Sequence, residues 1–471
     1  MPTVRPLGLM MRNHIVYGNV WCRQQAQWTR RYKATSATVA SKSSTKSSLP
    51  PHCLLPTKML LRSLLITAIS SHRWLLTPAL KFLPLIVHPR MSLLDVNKNK
   101  ILHRVMKATF YNHFCAGEDG TEVRTTIENI KDMGFKGVIL TYAREIVVDA
   151  SKASAETAAT DRKPEVSTIG SLNNADIEAW RQGVLETAGM VGKGDILALK
   201  LTGAGEPAMR ALAANQPLPD QMSAALQEIC AAAIKRQARI FIDAEQQSVQ
   251  LAIDNIALDL MKQFNVDGKT VIYNTYQAYL KSTPATVLAH LKVADDHQFT
   301  LGIKLVRGAY IAAEPRDLIN NTKSDTDDSY NSIAEGVIKR RYGEFGHGDK
   351  LFPSIELFLA THNKESALLA STLINEQIAM GLPATQVQYG QLLGMADGVS
   401  CRLLQLGESG TGTRSSAAPE VFKCLSWGTL GDCLSYLFRR AVENRDAVGR
   451  TKEEYFQLRQ EVLRRIKASL S

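Results

Sequence analysis

From position 137 onward the chain repeats one pattern eight times: a short apolar run, then a segment with helical spacing. The runs are 137–140, 196–199, 240–242, 271–273, 301–306, 355–359, 387–389 and 421–422, and helical segments such as 246–263, 285–296, 364–379 and 430–444 lie between or after them. Uninterrupted apolar runs of this length read as strands buried on both faces, and strand–helix alternation requires parallel pairing. Eight units predict an α/β fold, one closed TIM-like (βα)8 barrel, rather than two domains. Ahead of the first run, Val123, Ile127 and Ile130 share a helical face that Gly134 stops.

Charge separates the barrel from what precedes it. The chain has 471 residues and a formal net charge of +11. The first acidic residue is Asp95, and 13 Lys or Arg come before it, leaving a body of net −2. Basic residues in that body are interspersed, so a nucleic-acid groove has no support. Residues 1–50 are Arg-rich, Ser-rich and free of acid, the composition of a mitochondrial targeting segment. Residues 59–88 are apolar but broken by Arg62, His72, Arg73, Pro78, Lys81 and Pro84. They read as a packed helical arm or an interfacial segment rather than a spanning helix. Seven cysteines without C-x-x-C suit a reducing compartment.

The chemistry should lie where the strands end. Lys200, Asp243 with Glu245, Gln277, Lys304 with Arg307 and Tyr310, Thr361-His362-Asn363, and Gln391 with Met395 all stand at or just after predicted strands. On a parallel barrel these converge on one rim, which suits an anionic ligand and a polar cofactor together. Taken singly, each has a bland reading, such as a snorkelling lysine. On the last helix, Tyr436, Arg439, Arg440 and Glu443 share one face, and paired arginines can hold a carboxylate bidentately. Two stretches, 151–173 and 313–331, read as insertions on that same rim. No Walker A, dinucleotide fingerprint, nucleophile elbow or metal-spaced cluster occurs, so no metal is expected. The glycine-rich stretch 407–413 reads as a loop.

At IKLVRGAY (303–310), YQAYLK (276–281), FIDAEQ (241–246), ATHN (360–363), YGQLLGM (389–395) and YLFRRAVEN (436–444) the chain resembles the proline dehydrogenase (proline oxidase) family, in its fungal mitochondrial form. The resemblance runs from about Phe110 to the C-terminus. It implies a (βα)8 barrel that binds FAD, oxidises L-proline to Δ1-pyrroline-5-carboxylate and passes electrons to a membrane quinone. It further implies that Arg439, Arg440 and Lys200 grip the substrate carboxylate, with Asp243 supporting Arg440. Tyr310, Tyr436 and Leu392 would surround the pyrrolidine ring. Glu145 would pair with Arg439 over the substrate. Gln277, Lys304, Arg307, Gly308, Thr361, His362, Asn363 and Glu443 would hold FAD, and Thr322 its pyrophosphate or adenosine portion.

One departure stands out. Cys424 occupies a position where the family often has a substrate-facing tyrosine. The expected division is a targeting segment at 1–50, a helical arm at 51–122 and the FAD-binding barrel at 123–471. The expected location is the matrix side of the inner mitochondrial membrane, held peripherally, with the oligomeric state left open. A hydroxyproline dehydrogenase and a non-catalytic proline-binding paralogue are the competing readings.

Overall fold

All eight apolar runs form strands. In the computed structural model, which describes residues 49–87, 89–142, 174–407, 418–446 and 448–470, they are β1 (Gly137–Tyr142), β2 (Ile196–Leu199), β3 (Arg239–Ile242), β4 (Ile272–Gln277), β5 (Leu301–Val306), β6 (Ile355–Ala360), β7 (Val387–Leu392) and β8 (Glu420–Trp427). They close in sequence order, every pair parallel, with β8 returning to β1. Glu145, the 151–173 stretch, all but the last two residues of the expected targeting segment and most of the glycine-rich stretch lie outside the described residues.

The helices precede, alternate with and follow the strands. Before the barrel come α1 (Thr57–Ser71), α2 (Arg73–Val87), α3 (Lys100–Met106), a wide π-type turn at Lys107–Tyr111, α4 (Asn112–Phe114) and α5 (Gly120–Asp132). Around it run α6 (Ala175–Met190), α7 (Glu206–Ala213), α8 (Asp220–Lys235), α9 (Gln247–Phe264), α10 (Thr283–His297), α11 (Lys323–Ile338), α12 (Lys364–Ala379) and α13 (Asp397–Gly407). Then follow α14 (Leu430–Asp446) and α15 (Val448–Leu470). Their starts are set by side chains. Asp119 accepts from the Thr121 and Glu122 amides, Asn174 from Asp176 and Ile177, and Asn363 from Ser366. Gly134 at φ +94° ends α5.

Period-2 alternation sorts the strand residues. Outward side chains join the large core under the helices. Inward ones form a separate cluster of Ile139, Ile196, Ala198, Phe241, Tyr273, Phe358 and Phe422. Two glycines make room for these rings. A Cβ at Gly302 would sit 2.3 Å from the Ile272 carbonyl oxygen and 2.9 Å from the Tyr273 ring, and one at Gly390 2.6 Å from the Phe358 ring. The rings pack edge-on, with centroids 4.9 Å apart for Phe241–Phe358 and 5.2 Å for Phe241–Tyr273. Beneath them Arg239 donates to Tyr273 Oη and Gln388 Oε1, closing the lower mouth.

Residues 59–88 form helices that pack on the body. Ile66 of α1 and Ile86 of α2 share a core with Leu434 and Leu437 of α14. The stretch 313–331 is less of an insertion than expected. It contains a 3-10 turn, Arg316–Leu318, and the first turns of α11.

The arm meets the β7–α13 turn at His113, where Gly394 (φ +70°) comes so close that a Cβ would lie 2.3 Å from the His113 carbonyl oxygen. Burial lowers the His113 imidazole from 6.5 to about 4. Between those values the unfolded chain takes up a proton that the folded chain refuses. Stability should therefore fall as pH drops from 6.5 toward 4, by up to about 3 kcal/mol, and then level off with respect to this group. Melting curves of wild type and His113→Gln across that window check this; the variant should lose that part of the slope.

Candidate functional site

Inward parity carries upward from the aromatic floor. One step above Ala198, Phe241, Phe422 and Ala360 come Lys200, Asp243, Cys424 and His362, and the register of Lys304 with Phe358 puts it on the same interior side. Lys304 Nζ sits 5.1 Å from the Phe241 ring centroid and donates to Asp243 Oδ1 at 2.7 Å. The floor thus carries a cation on its face, held by a carboxylate from two strands away.

Cys424 of β8 belongs to this layer. Burial pushes its thiol up to about 11, with Lys304, Arg440 and Lys200 pulling it down and Asp243 pushing it up. Charged side chains just past β2 and β3, on β5 and on α14 therefore all act on this thiol. Leu392 pairs in register with Cys424, and its amide donates to His362 Nε2 at 3.1 Å. That hydrogen bond assigns the proton of the neutral imidazole to Nδ1.

Helix α14 closes the site from above. The i, i+4 spacing stacks the Arg440 guanidinium over the Tyr436 ring, 5.0 Å from its centroid. Tyr436 is buried among Leu434, Leu437, Tyr111 and Phe114. Its buried hydroxyl lies near Ser426 without reaching hydrogen-bond geometry. Arg439 is half-buried on the same helix. Glu443 belongs to α14, but its side chain lies outside the described residues.

The β5 end is built around Arg307. Its Nε donates to Asp327 of α11 at 2.7 Å, and its two terminal nitrogens donate to Thr361 Oγ1 at 2.7 Å and Ser366 Oγ at 2.9 Å. The guanidinium lies 4.4 Å from the Tyr330 ring centroid. Burial pushes the Asp327 carboxyl up, but hydrogen bonds from Lys323 and Arg307 outweigh it and hold it below its ordinary value. Three of the five Arg307 N–H donors are used in this way. Gly308 follows at φ +134°, and a Cβ there would lie 1.8 Å from the Tyr279 ring, so only glycine fits. Tyr310 is half-buried in the same loop, and its carbonyl accepts from Ala313 and Glu314.

Several expected cofactor residues have structural work as well. Thr322 caps α11 in a capping box with Asp325, and Asn363 caps α12. Gln277 is the last residue of β4, buried, and donates to the Glu245 carbonyl at 3.1 Å. Glu245 accepts from the Thr202 amide and hydroxyl, and burial nonetheless raises its carboxyl above the usual value. The Arg307 anchors Asp327, Ser366 and Tyr330 and the aromatic floor were not anticipated from sequence. Strand parity was the signal that could have shown the floor.

Arg307→Lys should expose what this clamp does. A single ammonium cannot hold three anchors on three elements. We expect a stability loss of about 2 kcal/mol and weaker cofactor retention. Thermal midpoint measures the first and content of the FAD that the family resemblance implies measures the second, and wild-type values for both would refute the assignment.

The proline dehydrogenase family profile matches residues 123–453. A probable mitochondrial proline dehydrogenase of Schizosaccharomyces pombe is 29% identical over 86% of this chain and 88% of its own length. Human mitochondrial proline dehydrogenase 1 is 32% identical over 69% of this chain, which spans 56% of that relative. Among solved structures, proline utilization A from Bdellovibrio bacteriovorus, inactivated by N-propargylglycine, superposes with a TM-score of 0.59 at 14% identity. It covers 90% of this chain and 41% of its own, a likeness of fold.

Proposed function

The chain belongs to the proline dehydrogenase family, and from that premise we propose that it oxidises L-proline to Δ1-pyrroline-5-carboxylate with FAD, passing electrons to a membrane quinone. The Lys304–Asp243 pair on the Phe241 face, together with Arg440 stacked on Tyr436 of α14, carries this reading. A small zwitterion needs a cationic end for its carboxylate and an apolar wall for its ring. Arg440, Arg439 and Lys200 supply the first; Tyr436, Leu392 and Tyr310 supply the second.

FAD fits the donor set on the opposite side. The Lys304 ammonium on its aromatic floor suits the polar edge of a flat ring system. The remaining N–H donors of Arg307, the bare backbone at Gly308, and Thr361, His362 and Asn363 suit the phosphate and sugar portions. Gln277, Thr322 and Glu443 complete the proposed cofactor set. When bound, FAD supplies hydride acceptance from the carbon next to the substrate nitrogen.

The protein's part is orientation and exclusion of water. The arginines would fix the carboxylate and so orient Cδ, the ring carbon on the far side of the nitrogen, which loses the hydride because the product's C=N bond forms there while Cα keeps its hydrogen. The substrate amine must be unprotonated, because its lone pair stabilises the iminium as hydride leaves. The proton released from that nitrogen passes to solvent. Asp243 keeps Lys304 in place through their ion pair, and in this reading it also backs Arg440. Glu145 is proposed to pair with Arg439 over bound substrate.

The names of the relatives support a mitochondrial location. The acid-free segment 1–50 is proposed as the targeting signal, 51–122 as the arm and 123–471 as the catalytic barrel, on the matrix side of the inner membrane. Cys424 lacks the phenol that the family often places there, which bears on proline against 4-hydroxyproline.

Anaerobic bleaching of the bound flavin by proline, run beside 4-hydroxyproline, tests the activity. Arg440→Met should retain flavin and raise KM for proline at least about tenfold. An unchanged KM would remove Arg440 from the carboxylate site.

A further inference from the structure

Helix α2 is apolar on two opposite sides. Leu76, Leu83 and Ile86 are buried, and Ile86 packs in the core that also holds Leu434, Tyr436 and Leu437 of α14. The outer side presents Trp74, Pro78, Phe82 and Leu85, at spacings of four, four and three, which align along one face. Trp74 is 72% exposed, Phe82 47% and Leu85 49%. An outward stripe of this kind on a helix already anchored by its inner face marks a binding surface.

The surroundings choose the partner. Residues 49–94 contain Lys58, Arg62, Arg73, Lys81 and Arg90 and no acidic residue. Lys81 is exposed beside Phe82. At the Trp74 end a hollow of about 470 Å³ is lined by Ser71, His72, Arg73, Trp74, Lys452 and Tyr455, so two more cations stand at the margin of the stripe. A second copy of the chain would set the cations of this acid-free segment, 49–94, against one another, which like charge opposes. An anionic lipid surface answers both the charge and the apolar stripe.

Length decides how the helix meets the bilayer. Its 15 residues reach about 22 Å, short of the ~30 Å hydrocarbon core. Among the described residues no helix is long and apolar enough to cross a membrane. We propose that α2 lies in the plane of an anionic bilayer, with Trp74, Phe82 and Leu85 below the headgroups and Arg73 and Lys81 at the phosphates. This deepens the membrane-quinone reading and rests on it for its purpose. The inner face of α2 shares a core with Tyr436, so the docked membrane lies behind the helix that carries Arg440.

Vesicle flotation of the full flavin-loaded chain tests this. Wild type should float with phosphatidylcholine vesicles containing about 30 mol % phosphatidylglycerol and much less with pure phosphatidylcholine. Trp74→Ser/Phe82→Ser/Leu85→Ser should cut the bound fraction at least about tenfold, and Lys81→Glu should weaken it in the anionic vesicles. Both variants keep residues 1–50, so any lipid affinity of that segment cancels. Proline-dependent reduction of a soluble dye should stay at the wild-type rate, and this also verifies that the variants fold. Flotation of the triple variant equal to wild type would overturn the proposal. So would a dimer-to-monomer change in sedimentation without any change in flotation. Failure of wild type to reduce dye with proline would instead sink the activity reading and leave the flotation result standing by itself.

Discussion

Closure of eight parallel strands leaves each residue only two directions, into the barrel or out to the helices. The site depends on that constraint. It puts Phe241, Tyr273, Phe358 and Phe422 in the interior as a floor and Lys200, Asp243, Lys304 and Cys424 in the layer above. A one-residue slip in any strand would exchange these for outward core residues. Gly302 and Gly390 allow the floor to exist, because side chains there would collide with Tyr273 and Phe358.

Charge in this layer is placed in pairs. Lys304 is held by Asp243 and by the Phe241 face. Arg307 is held by Asp327, Thr361 and Ser366, which ties the β5 and β6 ends to α11 and α12. Fixed partners cost some affinity, since a ligand must share donors already engaged. They gain preorganisation, because the cations need not be collected when the ligand arrives. A further buried pair, Lys423–Asp397 at 2.6 Å, stands outside the barrel wall, where Asp397 also accepts from Ser63 of α1. It joins β8 to the arm rather than to the rim.

Much of this was legible in sequence because periodicity and parity are local properties. The runs at 301–306 and 355–359 could be read as buried strands without knowing their partners, and Lys304, Asp243 and Lys200 could be placed at strand ends. What could not be read were contacts made by closure. The Arg307–Asp327–Ser366 clamp joins residues 20 and 59 positions apart through tertiary packing. The stretch around Asn320–Asp328 looked like an insertion because its polar composition hides a helix start; Thr322 and Asp325 form a capping box there. The arm was ambiguous for a physical reason as well. Helix α2 is apolar inside and out, so composition could not separate a packed helix from an interfacial one; the structure shows its inner face packed and leaves Trp74, Phe82 and Leu85 exposed.

The central claim is that Asp243 and Lys304 act as one unit beneath substrate and cofactor. A double-mutant cycle on the rate of flavin reduction by proline tests it directly, using Asp243→Asn, Lys304→Met and the combination. Strong non-additivity is expected, a coupling of about 1–3 kcal/mol, with the second substitution costing little once the first is made. Losses that simply add would contradict it, and would mean that the two residues serve separate ends of the site.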